Sequence, residues 1–338
     1  MGGGSWDTGI YNSAKTYRRS AGIDDFDYTR KGRSGAVNTV SGSLDPKGMV
    51  NPDPSKYALP LRESRDSDEH PESIPVGIFF DVTGSMGYVP RVLQEKLPDL
   101  MDVIYDKAGL PDVQVLVGAI GDSTCDRFPL QVGQFESDNR FDEQLREMIL
   151  EGGGGGQTYE SYGLAYRVAA YHTASDSFEK RGKKGYFFTM GDEAPWPTTS
   201  PSELAEVFGL TVQEDDSIAD LVAKAEEKWN IFHLFAKDGS YPNSADIHDK
   251  WRALLGERFV MVEDSSLVCE VIAGIVHMME NAYDADKVVR DIGLSGKSAD
   301  DVKNALVPLS GSAVLAKRAT TTGALSSRRA RRGGVSRV

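Results

Sequence analysis

The sequence predicts an α/β fold built on a doubly wound, mostly parallel sheet with one antiparallel edge strand. Three observations carry this. Five short runs, Val76–Phe80, Val113–Ile120, Tyr186–Met190, Ile231–Ala236 and Phe259–Val262, are rich in Val, Ile and Phe and apolar at nearly every position. Strands covered on both faces read this way, because neither face meets water. Helical stretches fill the gaps, so strand and helix alternate along the chain. A sixth run, Leu130–Phe135, alternates more and begins only about nine residues after Ile120. That gap is too short for a helical crossover, so this strand pairs antiparallel with its predecessor. Right-handed crossovers then line the strand C-terminal ends along one edge, where ligands sit in such folds.

Residues 1–72 hold little that could build a core: Gly, Ser, Asp, Arg and Pro dominate, as in SGSLDPKGMVNPDPSK. They read as an extended or disordered N-terminal arm, with Tyr11, Tyr17, Phe26 and Tyr28 as anchors if it orders against a partner. The α/β domain spans 73–284. Within it, Arg91–Lys107 places Val92, Leu93, Leu97, Leu100, Met101 and Ile104 on one helical face, with a kink at Pro98. Tyr162–Thr173 is an Ala- and aromatic-rich helix, and Ser217–Lys228 sets Ile218, Leu221, Val222 and Ala225 at helical spacing. Ser266–Tyr283 reads as a buried helix with Asp264 or Ser265 as its N-cap. A short helical extension, 285–310, offers helices at Asp286–Ile292 and Ala299–Leu306, the second capped by Ser298. Residues 311–338 turn to Ser, Thr, Gly, Ala and Arg and read as a basic disordered tail.

The net charge of −13 is unevenly spread. The stretch 317–338 holds seven Lys and Arg and no acid, so the remainder of the chain carries −20. Such an acidic body is a poor binder of nucleic acid, and contact with nucleic acid, anionic lipid or an acidic protein face is confined to the tail motif RRARR. No run approaches the ~18 apolar residues of a membrane span. The opening MGGGSWDTGIY lacks an apolar core and a cleavage site, and Trp6 stands where a myristoylation signal needs Ser or Thr. The expectation is a soluble cytoplasmic protein with no membrane contact, or a virion component. Cys125 and Cys269 lie far apart and are expected to be free thiols, with Cys269 on a buried helix face. The five histidines, His70, His172, His233, His248 and His277, show no paired spacing for zinc.

The chemistry concentrates in three segments that should meet at the sheet edge. The first is DVTGSM, which delivers Asp81 to the end of an apolar run and follows it with Thr83 and Ser85. One carboxylate and two hydroxyls at alternate positions form half of an oxygen cage for a small hard cation. The second is the loop GGGGGQTYES, 152–161, whose glycines allow close approach and positive φ. The third is Asp192 in TMGDE. Asp122 and Asp126, in GDSTCD, end a neighbouring strand and either add negative potential or serve only as loop residues.

These motifs together resemble the metal-ion-dependent adhesion site of a von Willebrand factor A domain over roughly 74–284, and GQFESDNR, EGGGGG and FEKRGKKGYFF resemble a bacterial and phage-type group of proteins. The resemblance implies a Rossmann-like sheet. It implies that Thr83 and Ser85 bind a divalent cation directly and that Asp81 and Asp192 bind it directly or through water. The family pattern is Asp-x-Ser-x-Ser, a loop Thr, then Asp; Thr83 keeps the hydroxyl of the Ser it replaces. In the loop, Thr158 is the evident hydroxyl. In the family an Ala-Leu-like pair lies five residues after the loop ligand, and Ala165-Tyr166 points back to Glu160 instead. A Thr leaves the metal eager for an outside carboxylate, whereas a bound Glu holds it more firmly and weakens that pull. Both remain candidates.

Other chemistries lack their residues. Phosphatases of the haloacid dehalogenase type need a second Asp at position 83, where Thr83 stands. No Gly-Lys-Ser/Thr follows the glycine run, and no Gly-x-Gly-x-x-Gly follows the first strand. No base is evident for a Ser nucleophile. The expected function is therefore a non-enzymatic, metal-dependent protein-binding module. A partner's acidic side chain would complete the shell of a Mg2+ ion, with Mn2+ or Ca2+ as alternatives. Family analogy suggests an ATPase or another assembly member as partner. The alternatives are a structural component of a phage particle or cellular complex, with the metal bracing loops, and a metal-dependent hydrolase. Trp196, in APWPTTSP, is either a protein-contact anchor or packs on the helix starting near Ser202.

Overall fold

The computed structural model describes residues 4–153 and 156–310, apart from the Ser85 side chain. The basic tail and part of the glycine run thus lie outside the described residues. The chain forms a mixed α/β structure around a six-stranded sheet: β1 (Ile74–Asp81), β2 (Val113–Ile120), β3 (Leu130–Val132), β4 (Gly185–Gly191), β5 (Trp229–Ala236) and β6 (Phe259–Val262). The order across the sheet is β3-β2-β1-β4-β5-β6. All neighbours are parallel except β3, which runs antiparallel to β2 at the edge. The chain thus reverses direction about β1, so the crevice over β1 and β4 is the switch point of a doubly wound fold. The edge strand is shorter than its apolar run. Its regular part ends at Val132: the Gly133 N–H still donates to Val117 O at 2.9 Å, the Gln134 N–H turns to the Gln144 side chain at 2.6 Å, and Glu136 pairs again with Val115.

Alternate residues of each strand feed two cores. Val76, Ile78, Phe80, Val115, Val117, Phe188, Met190, Leu234 and Val260 pack on one face with the helices after β1 and after β6. Phe79, Leu116, Phe187, Ile231, Phe235 and Phe259 pack on the other with the helices after the glycine loop and between β4 and β6. The second face makes room for rings by omitting side chains. Gly77 lies under Phe187, where a Cβ would come within 2.6 Å of the ring. Gly118 lies under Phe79, and the two rings stack at 5.0 Å. His233 is a core residue here: Nδ1 meets the Thr189 hydroxyl at 2.9 Å, the ring stacks on Trp251 at 3.6 Å, and burial pushes its pKa well below the ordinary value.

The first 72 residues differ from the extended arm expected. They contain α1 (Thr8–Ser20), whose cap Asp7 accepts from the Ile10 N–H at 2.8 Å, and α2 (Asp27–Arg33). Trp6, Tyr11 and Phe26 are buried, and Trp6 lies 5.1 Å from the Phe141 ring. Tyr28 is half-buried and Tyr17 is exposed. Two of the anchors named in the sequence, Tyr11 and Phe26, with Trp6, order this segment against the chain's own body rather than a partner, and composition alone does not say which surface they meet.

Pro98 does more than kink its helix. The stretch divides into α3 (Val89–Glu95), α4 (Leu97–Asp102) and a wider-wound turn, Val103–Lys107. Pro98 has no N–H to offer the carbonyl four residues back. The Tyr11 hydroxyl donates to that carbonyl, Gln94 O, in its place. The later helices are α5 (Arg140–Arg146), α6 (Tyr162–Tyr171), α7 (Asp176–Arg181), α8 (Pro201–Phe208), α9 (Ile218–Ala225), α10 (Ala245–Leu255), α11 (Val268–Asn281), α12 (Ala285–Asp291) and α13 (Gly296–Ser310). Asp264 caps the turn leading into α11, accepting from the Ser266 N–H at 2.9 Å. Ser298 lies inside α13 rather than at its cap, because Gly296 already begins that helix. Cys125 and Cys269 are free, the second buried on α11. No helix among the described residues is long and apolar enough to cross a membrane.

Candidate metal centre

β1 ends at Asp81 and β4 ends one residue before Asp192, so adjacent parallel strands bring both carboxylates to one edge. Close approach depends on Gly191, because a Cβ there would strike the Tyr162 hydroxyl and lie 3.1 Å from the Asp81 Cβ. Thr83 folds back on Asp81: its N–H and hydroxyl both meet Asp81 Oδ1, at 2.7 and 2.6 Å. Gly84, at φ +38°, turns the chain into a short helix, Gly84–Tyr88, which carries Ser85. The Ser85 side chain lies outside the described residues.

The glycine loop is stitched to this turn by its main chain. Gly152 N–H donates to Val82 O at 3.1 Å, and Gly84 N–H donates to Gly153 O at 2.5 Å. The loop then enters a two-residue strand, Tyr159–Glu160, parallel to Ala194–Pro195. This pairing delivers Glu160, and the Thr83 hydroxyl lies 3.1 Å from Glu160 Oε1. Thr158 takes part through its carbonyl, which accepts from the Ala194 N–H at 2.9 Å. Of the two loop candidates, Glu160 is the one joined to Thr83.

The Thr83 hydroxyl has one proton and lies within reach of two carboxylates. Among the described residues, Asp81 Oδ2 and Glu160 Oε2 are buried with no hydrogen-bond partner. Among the described residues neither carboxylate pairs with a Lys or Arg. Burial raises the pKa of both carboxyls; for Asp81 the hydrogen bonds from Thr83 oppose this and the charges of Asp192 and Asp126 add to it, and for Glu160 the charges of Asp81 and Glu193 add to it. Buried charges are tolerated only when compensated, so this arrangement requires a cation or protons. No three His, Cys, Asp or Glu side chains are grouped as a metal cage among the described residues. The oxygens that do converge include a hydroxyl, and an ion that keeps several waters needs few protein ligands. The orphaned buried oxygens fit a small divalent cation.

Asp192 is buried and accepts from the Ser240 N–H, with Gly239 leaving the space. Asp122 and Asp126 hold their own turn together. Asp122 accepts from the Thr124 N–H at 2.9 Å and from Gln157 of the glycine loop, and Asp126 accepts from the Asp122 N–H at 2.8 Å. They also add negative field, because Asp126 raises the Asp81 pKa and both raise that of Glu160. Glu193 was missed in the sequence. It is half-buried, and burial followed by the charges of Asp81 and Asp192 pushes it up to about 8. Its only local signal is its position beside Asp192. At the rim Trp196 stacks on Tyr159 at 4.6 Å, and Lys250 Nζ lies 5.4 Å from the Tyr159 ring centre.

No family model matches the chain, and no curated protein matches it. Solved structures give distant likenesses. The pilus adhesin SpaC from Lactobacillus rhamnosus GG, in its open conformation, is 8% identical over 65% of this chain and 31% of its own, with a TM-score of 0.44. The PilB minor pilin from Streptococcus sanguinis is 10% identical over 62% of each chain, with a TM-score of 0.42. Proximal thread matrix protein 1 from the mussel byssus, solved with a zinc-occupied metal-ion-dependent adhesion motif, is 10% identical over 64% of this chain and 48% of its own, at 0.39. The chain thus spans less than two thirds of the length of each of these proteins.

Proposed function

We propose that the chain is a von Willebrand factor A-type module that binds a protein partner through a divalent cation at the C-terminal edge of its sheet. One observation carries this: Asp81 and Glu160 bracket the Thr83 hydroxyl, and each keeps a buried oxygen with no partner among the described residues. Thr83, Ser85, Asp81, Asp192 and the loop residue Glu160 would hold the ion, with Thr158 as the displaced candidate. Mg2+ suits the oxygen-only set, with Mn2+ or Ca2+ as alternatives. When bound, the ion supplies an electrophilic position that an oxygen of the partner, in this reading an acidic side chain, completes. The chain's own residues do the rest. The Gly84 turn orients Thr83, the Tyr159–Glu160 pairing fixes the loop, and the Tyr159–Trp196 pair gives the rim an aromatic contact surface. An ATPase or another member of an assembly is the kind of partner that family analogy suggests.

The test is capture of partners by wild type and by Asp81→Ala, each with Mg2+ and with EDTA. The expected result is a set of proteins retained only by wild type with Mg2+. Identical recovery in all four arms, with the variant folded, would sink the proposal. A structural role in a larger particle is the second reading, favoured by Ile10 and Tyr17, which stand exposed on α1. It predicts that the native protein sizes with its neighbours even in EDTA.

A further inference from the structure

We infer that Glu160 makes the centre charge-complete, so that the ion resides in the folded chain before any partner arrives. This rests on the metal-centre reading above and concerns how that site is regulated. Two carboxylates, Asp81 and Glu160, flank one hydroxyl, and both are at most 2% exposed. Their two negative charges already match a divalent ion before the buried carboxylate of Asp192 is counted. With a neutral Thr as loop ligand the same shell would carry one negative charge fewer and hold the ion less firmly, leaving it more open to an outside carboxylate. Ligand charge count and site rigidity are what tune the affinity of hard cations.

Glu160 is also built in rather than poised to move. Its carbonyl accepts from the Trp196 N–H at 3.2 Å, and the Thr158 carbonyl accepts from the Ala194 N–H at 2.9 Å. The loop ligand is therefore fixed to the segment that follows Asp192. A buried oxygen of Glu160 that no donor satisfies points to an ion as its intended partner. Thr158 spends its carbonyl on the pairing that places Glu160. In consequence a partner's carboxylate meets an ion already neutralised. Its pull is weak, and recognition falls to the rim formed by Tyr159, Trp196 and Lys250.

The test is titration of the full chain with Mn2+ alone, followed by calorimetry and by the spectrum of free Mn2+, for wild type, Glu160→Gln, Glu160→Thr, Thr158→Ala and Asp81→Asn. Circular dichroism checks the fold of each. Wild type is expected to take up one Mn2+ without a partner. Glu160→Gln and Glu160→Thr should each weaken binding by about tenfold or more. Thr158→Ala should stay within about twofold of wild type, since removing its hydroxyl leaves the main-chain pairing intact. Loss of binding in Asp81→Asn and Thr158→Ala, with both Glu160 variants unchanged, would overturn the inference and leave the metal centre standing. Unchanged binding in Asp81→Asn, or no uptake by wild type, would overturn the metal centre itself.

Discussion

A single hydroxyl proton sets the problem that this edge must solve. Thr83 can satisfy Asp81 or Glu160 but not both, and the remaining oxygens are sealed from water. Directly beneath, the Tyr162 hydroxyl is buried without a partner among the described residues and abuts Gly191. Gly191 is therefore needed for space, since its φ is not in the left-handed region. Gly191→Ala should destabilise the protein by about 1–3 kcal/mol, the usual cost of overpacking. Tyr162→Phe alone should be nearly neutral, because it removes a hydroxyl that bonds to nothing. The double variant should recover part of the loss, because the clashing atom is gone. Denaturant unfolding of the four proteins reads this as a coupling energy. Strict additivity would show that the two positions do not meet. Glu160 itself was half-legible, since the spacing to Ala165-Tyr166 pointed to it before any geometry did. Glu193 was not, because its raised pKa comes from neighbours in space.

Elements buried on both faces were readable and elements ordered by a few contacts were not. The strands came through because alternate residues serve opposite cores, which leaves no polar positions to confuse the pattern. By contrast, α10 reads ADIHDKWRALL and buries only Ile247, His248, Trp251 and Leu255, a stripe thin enough to pass for loop. The helix α8, expected from the sequence to start near Ser202, begins with a capping box at Ser200-x-x-Glu203. The Ser200 hydroxyl accepts from the Glu203 N–H at 3.3 Å, and the Glu203 carboxylate returns to the Ser200 N–H at 2.6 Å. Glu203 also accepts from Ser123, just past the end of β2, so the cap ties this helix to the metal edge. Ser200→Ala should cost about 1 kcal/mol of stability. Glu203→Ala should cost more, because it also breaks the link to Ser123. Thermal unfolding of the pair checks the ranking, and a costlier Ser200→Ala would refute the second role of Glu203.

The molecule couples its N-terminal segment to this edge, and the charge balance of the edge is measurable. α2 braces the entrance to the glycine loop: Thr29 accepts from the Leu150 N–H at 3.0 Å, and Arg33 donates to Leu150 O at 2.9 Å. The N-terminal segment, unreadable as structure because its anchors are few, thus helps to hold a loop of the metal centre. The centre's carboxyls then give pH dependence a definite sign. Glu193 ionises near ~4.3 in an unfolded chain but at about 8 in the fold. Asp81 and Glu160 shift in the same direction. The fold therefore holds protons that the unfolded chain has released, and stability falls as pH rises towards 8. His172, held down to about 4 by burial, acts in the opposite sense, as do His233 and His248, but only until the unfolded histidines lose their protons near ~6.5. Between pH 7 and 8 the acidic groups dominate. In EDTA the midpoint of thermal unfolding should drop across that interval. With saturating Mg2+ the drop should vanish, because the ion replaces the protons and binds better as they leave. Glu160→Gln in EDTA should flatten the same curve, having one fewer charge to bury. A wild-type midpoint that rises from pH 7 to 8 in EDTA would mean that these carboxyls are neutralised by something other than a metal or a proton.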